Sequence, residues 1–163
     1  MGLGGTNHQT PKQRKFMNNT NTKSKQAIAK ELTHFTGTTQ YYRYSPGLFP
    51  TFYLTDGTHY VAESCEAYWL FDYIASHQIN SVIRKHPKLQ QLQFRKLTVQ
   101  DSKGFIICEW DTDQVVFSET IQFTDFPLDS IRLWVAPLHL SYVGLCSLEQ
   151  DQWGWLAYLP SEH

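Results

Sequence analysis

Apolar residues are spaced along this chain in two distinct rhythms. Residues 1–23 hold few of them; Gly, Asn, Thr, Gln and Lys dominate, and such a segment has too little to bury to fold by itself. From Ser24 onward Ala27, Ile28 and Leu32 recur along one side of a helix, which predicts a helical stretch over Lys25–Phe35, capped by the Ser24 hydroxyl and ended by Gly37. Tyr41-Tyr42-Arg43-Tyr44 and a Ser45-Pro46-Gly47 turn signal follow. The densest stretch is Phe52–Ile79. Phe52-Tyr53-Leu54 and His59-Tyr60-Val61-Ala62 read as two short strands around Thr55-Asp56-Gly57-Thr58, because Asp-Gly supplies the backbone angles of a tight hairpin. Ser64 then reads as the cap of a helix over Cys65–Ile79, with Ala67, Leu70, Phe71 and Ile74 on its buried face. Trp69 and Tyr73, four residues apart, form a second stripe near Asp72 and Ser76. That stripe either packs beneath another element, such as Tyr41–Tyr44, or faces a partner.

Beyond the polar break Arg84–Lys88 the rhythm shortens to that of strands. Gln93–Val99, Gly104–Trp110, Val115–Ile121 (reached through a turn at Asp111-Thr112-Asp113) and Ile131–Ala136 read as an antiparallel meander. Trp153–Leu159 suits one more strand, and Leu138–Leu148 fits no single pattern. The expected architecture is α+β: a twisted antiparallel sheet of about five to six strands, a central amphipathic helix packed on one face, and a short N-terminal helix. Residues 24–163 form one such domain, preceded by the arm 1–23.

Composition sharpens this picture in three respects. Five Trp, nine Tyr and ten Phe in 163 residues exceed what one small core requires, so some rings are available as contacts. Charge is split: residues 1–30 carry six Lys or Arg and no acid, whereas residues 31–163 carry eight basic residues against fifteen acids, a balance of −7. The arm is either a solubilising tail or a phosphate clamp. Finally, Cys65, Cys108 and Cys146 lie far apart without a CxxC pair, and His77, His86 and His139 supply no close ligand pair, so neither a metal nor a cofactor is expected. No apolar run approaches the length of a membrane span, and the chain reads as cytoplasmic.

The residues that carry chemistry in other proteins are sparse. Phosphate-loop, dinucleotide, zinc-protease and serine-hydrolase patterns are missing. A small hydrolase or transferase has two starting points: Cys65 near a helix start with His59 as its base, or Asp125 in Thr124-Asp125-Phe126-Pro127, where flanking rings would favour the protonated acid. In a strand His59 and Glu63 share a face but stand too far apart to bond. Nucleic-acid binding requires aromatics interleaved with cations. Tyr41, Tyr42, Arg43 and Tyr44 have that composition, as does Gln93–Lys96, where Phe94 and Lys96 share a face opposite Arg95.

Six segments together carry a resemblance: Phe35-Thr36-Gly37-Thr38 with Tyr41-Tyr42; Leu54-Thr55-Asp56-Gly57 with Tyr60-Val61-Ala62-Glu63; Ala67-Tyr68-Trp69-Leu70 with Asp72 and Ile74-Ala75-Ser76; Lys96–Val99; Thr124–Leu128; and Leu159-Pro160-Ser161-Glu162. In order and number they resemble an uncharacterised bacterial domain-of-unknown-function family associated with mobile elements. The resemblance covers the chain from about Phe35 onward and implies no activity. With an acidic, aromatic-rich body, the expectation is a non-enzymatic accessory protein that binds another protein through Trp69 and Tyr73. The alternative is a nucleic-acid binder that uses the basic arm with Tyr41, Tyr42 and Arg43.

Overall fold

The computed structural model describes residues 23–44, 51–144 and 153–163. The arm 1–23 (apart from Lys23), the Ser45-Pro46-Gly47 turn, Cys146 and residues 145–148 of the ambiguous Leu138–Leu148 segment lie outside them; the earlier part of that segment ends β6 and forms a 3-10 turn over Leu140–Val143.

The first described helix is α1 (Lys25–Leu32), and the Ser24 hydroxyl does accept from the Ala27 amide. It ends at Thr33, one turn before Gly37, where the Thr33 hydroxyl donates to the Lys30 carbonyl. Strands β1 (Tyr42–Tyr44) and β2 (Phe52–Leu54) follow. The expected hairpin does not form. Asp56–Ser64 is a helix, α2, and Thr55 and Thr58 cap it reciprocally. Its buried positions are Gly57, Thr58, Val61 and Ala62, a helical spacing that a strand could not bury together. Glu66, at φ 49°, breaks the chain before α3 (Tyr68–His77). Ser64 is therefore the last residue of α2 rather than the cap of a longer helix, and Ala67 stands at the start of α3 without a side-chain cap. The polar break contains a short helix, α4 (Ser81–Arg84), capped by Asn80.

Strands β3 (Gln93–Gln100), β4 (Lys103–Glu109), β5 (Val115–Ile121), β6 (Ser130–His139) and β7 (Trp153–Tyr158) match the expected positions. The β3–β4 turn places Asp101 and Ser102 at φ 51° and 58°, the paired left-handed geometry of a two-residue hairpin. The fold is α+β with a seven-stranded sheet in the order β1-β2-β7-β6-β3-β4-β5. It is mixed rather than wholly antiparallel, because β2 pairs with β7 in parallel, Phe52 against Trp155 and Leu54 against Ala157. A parallel neighbour requires a long connection, which here is nearly the whole remainder of the domain.

The helices lie on one face of the sheet. Leu70, Phe71 and Ile74 of α3 and Val61 and Ala62 of α2 pack on Leu97, Ile106, Ile131, Leu133, Val135 and Ala157. Those strand residues alternate with Phe94, Lys96, Thr98, Ile107, Glu109, Arg132 and Trp134, which are only partly buried or exposed. Among the described residues no helix covers that second face over β3, β4 and β5.

Candidate functional site

Most sequence candidates are used inside the fold. Trp69 and Tyr73 are half-buried against the core, and the Tyr73 hydroxyl donates to the Glu119 carboxylate on β5. Burial, then that bond, raises the Tyr73 pKa. Tyr42 is half-buried with its ring stacked on His59 at 3.9 Å, while Tyr41 and Arg43 are exposed beside it on the edge strand. The Tyr44 hydroxyl bonds Asp72 and the Tyr68 carbonyl, and Tyr68 donates to Glu63.

The catalytic alternatives lose their geometry. Cys65 caps the C-terminal end of α2 rather than opening a helix, so the dipole there opposes a thiolate. Burial pushes its pKa up to about 11. His59 lies six residues earlier on α2, about 120° around the helix from Cys65, and faces Tyr42 and Glu63. Its ring stands 3.9 Å from the Glu63 carboxylate, a pairing that helical spacing permits and a strand would not. Asp125 is exposed, while its neighbours Thr124 and Phe126 are the buried pair and Thr124 Oγ1 accepts from the Phe126 amide. The Asp125 side chain is open to solvent, in place of the aromatic enclosure read from the sequence. Among the described residues no three His, Cys, Asp or Glu side chains gather as metal ligands, and no helix is long and apolar enough to cross a membrane.

Three segments distant in sequence instead meet at the start of α2. The Glu162 carboxylate accepts from the Gly57 amide (2.9 Å), the Thr55 hydroxyl (2.6 Å) and the Leu159 amide (2.9 Å). Asp56 accepts from the amide and hydroxyl of Thr39, and its own amide donates to Thr38 Oγ1. Burial disfavours the Asp56 anion, but the Thr39 bonds outweigh it and hold its pKa below the usual range. With both Glu162 oxygens and Asp56 Oδ2 engaged, this knot is a clasp of the fold.

The uncovered face is different. Strand register sets its side chains in rows across β6, β3, β4 and β5. One row runs Trp134, Phe94, Glu109; the next runs Arg132, Lys96, Ile107, Ser118; a third runs Ser130, Thr98, Phe105, Thr120. Phe94 meets Trp134 edge-on at 5.2 Å, and Trp134 is backed by Tyr158 and His163 at 5.9 and 4.8 Å. Lys96 and Arg132 are direct cross-strand neighbours, and neither joins an ion pair among the described residues. The turn Asp111–Asp113 overhangs these rows and completes a cleft of about 370 Å³. Composition showed the Phe94–Lys96 half of this face. The Trp134–Arg132 half emerges only when β6 docks beside β3.

Beneath it, Arg95 points the other way and is buried. Its Nε and Nη2 donate to Gln93 Oε1, and its Nη1 lies 3.3 Å from His77 Nδ1. Desolvation, then the Arg95 charge, lowers the His77 pKa to about 4.

Fold and face together define a two-layer α+β protein whose sheet is sheathed by helices on one side and, among the described residues, open on the other. Residues 26–163 match a family of unknown function, DUF6876, and the chain belongs to that family. No curated protein and no solved structure matches the chain.

Proposed function

We propose that this protein is a non-enzymatic binding module that takes single-stranded nucleic acid across its open sheet face. The observation that carries the reading is the pairing of two rows, rings in one (Phe94, Trp134) and cations in the next (Lys96, Arg132). Like charges set directly across a sheet oppose folding. A pair of them kept beside two aromatic faces suits a ligand that brings its own negative charge together with flat rings, which describes a nucleotide chain. Open antiparallel sheets that recognise single strands stack about two or three bases on exposed aromatics, and Phe94, Trp134 and Phe105 supply three rings here. The basic residues of 1–30 lend long-range attraction that the −7 body lacks.

A second reading uses the same face for a protein. The overhanging Asp111 and Asp113, with Glu109, repel phosphate and favour a basic peptide laid on Phe94 and Ile107. A bacterial, mobile-element accessory role fits either partner.

The two readings separate in one titration. A fluorescent single-stranded 10-mer of random sequence, in RNA and DNA forms, should bind with an affinity that falls with salt. Two phosphate contacts on the face predict a slope of about −1.4 in log K against log salt, steeper with the arm. Lys96→Glu/Arg132→Glu and Trp134→Ala variants that remain folded should each weaken binding about tenfold or more. No binding of either oligomer in low salt, or binding indifferent to these changes, overturns the nucleic-acid reading. Recovery of a stoichiometric protein that survives nuclease and is lost in the Trp134→Ala variant supports the second.

A further inference from the structure

Glu109 stands out within the cleft. It lies directly across from Phe94 at the end of the aromatic row, half-buried, and among the described residues its carboxylate accepts no hydrogen bond and joins no ion pair. Its oxygens still reach solvent, so their acceptor positions are open to the donors of a ligand. Beside it the β4–β5 ladder slips: Glu109 faces Val115 while Cys108 faces Phe117, so Val116 is an extra residue on β5 and β4 keeps its alternation. Bulges of this kind recur next to functional sites. The regular β3–β4 register sets a ring next to an acceptor in one row, with the cations two residues along the strand, on the same face.

We propose that Glu109 is a specificity-determining residue that selects the base stacked on Phe94, preferring guanine and rejecting uracil or thymine. This rests on the nucleic-acid reading of the face. An ionised carboxylate is an acceptor only, with two oxygens side by side. Guanine offers two parallel N–H donors on its pairing edge, so the two oxygens are filled in a bidentate match. Cytosine and adenine each offer a single amino group, and rank between. Uracil offers one N–H flanked by two carbonyl oxygens, which face the anion with like partial charge. Lys96 and Arg132 then hold the phosphate on the far side of the same nucleotide. Asp111 and Asp113, exposed at the rim, repel phosphate from every sequence alike and do not discriminate.

The test uses the full chain and three RNA heptamers: oligouridine, oligouridine with one central guanosine, and the latter with inosine, which lacks the second donor. Guanosine should bind roughly tenfold tighter than uridine, with inosine between. Glu109→Gln should bring the guanosine-to-uridine ratio close to one, by weakening guanosine binding and strengthening oligouridine binding as the repelling charge is lost, with the melting temperature nearly unchanged. Asp111→Asn/Asp113→Asn should raise affinity for all three heptamers equally. A ratio near one in the native protein, or a ratio that Glu109→Gln does not alter, overturns the role of Glu109 and leaves binding by the face standing. Failure of all three heptamers to bind overturns both.

Discussion

Gly57 shows how one residue can be read correctly as special and wrongly as to why. In the sequence Asp56-Gly57 suggests a turn that needs positive φ, yet Gly57 lies in the first turn of α2. What it supplies is clearance: a Cβ there would stand 2.6 Å from Leu159 Cδ1 and 2.9 Å from the Glu162 carboxyl carbon. Gly57→Ala is expected to destabilise by about 1–3 kcal/mol, read from urea midpoints. The cost should shrink in part in a Glu162→Ala background, because one of the two clash partners is gone while Leu159 remains, and the two changes are coupled. His77 offers a second test. Its folded pKa of about 4 lies below the ordinary 6.5, so the unfolded chain binds a proton that the folded protein excludes. Stability from this group is whole above about pH 6.5, falls as the pH drops, and is lost by about pH 4, with at most about 3 kcal/mol involved. Tyr73, Arg95, Phe117 and Glu119 surround the ring. A His77→Gln variant should lack the decline between pH 6.5 and 4 that the native protein shows on top of its carboxylate titration. The alternation that turns Arg95 away from Phe94 and Lys96 was legible in the sequence; that α3 sets His77 against Arg95 was not.

Among the elements, the strands from Gln93 onward were legible because alternation and polar turns coincide there, and both signals are local. The Phe52–Ile79 stretch was not. Thr55-Asp56-Gly57-Thr58 serves equally as a hairpin turn and as a helix cap, and the choice is made by a strand about a hundred residues away. The Thr58 hydroxyl donates to the Ala157 carbonyl of β7, and Glu162 fastens the first turn of α2. The break between α2 and α3 was equally hidden, since Glu66 is an ordinary helix former held in the left-handed region. Because Glu66 is exposed and its side chain pays for that backbone, Glu66→Gly should stabilise the protein by up to about 1 kcal/mol in thermal or urea unfolding.

For the whole molecule, division into a sheathed face and an open one was implied by the 2-residue rhythm, but its chemistry was only half visible. Phe94 and Lys96 are neighbours in the chain, whereas Arg132, Trp134 and Glu109 join them through register. On the proposed nucleic-acid reading, that register sets stability against binding. Lys96→Glu replaces a facing pair of like charges with an opposite pair and should raise stability by about 0.2–1 kcal/mol, measured by thermal unfolding, while weakening nucleic-acid binding. A change that left both unaffected would argue that the two side chains do not interact.

The parallel β2–β7 pairing has a consequence for how the chain is made. Strands β3 to β6 can pair with one another as soon as they leave the ribosome, but β1 and β2 have no place beside them until β7 has been synthesised and inserted between β2 and β6. Between the completion of β6 at His139 and that of β7 at Tyr158, then, the chain holds the strands of a four-stranded sheet with an unpaired β6 edge and an early β1–β2 ribbon waiting for its partner. The last of the sheet's strands to be translated is the one that joins the two, and until it arrives the open β6 edge is the strand most able to pair with another chain.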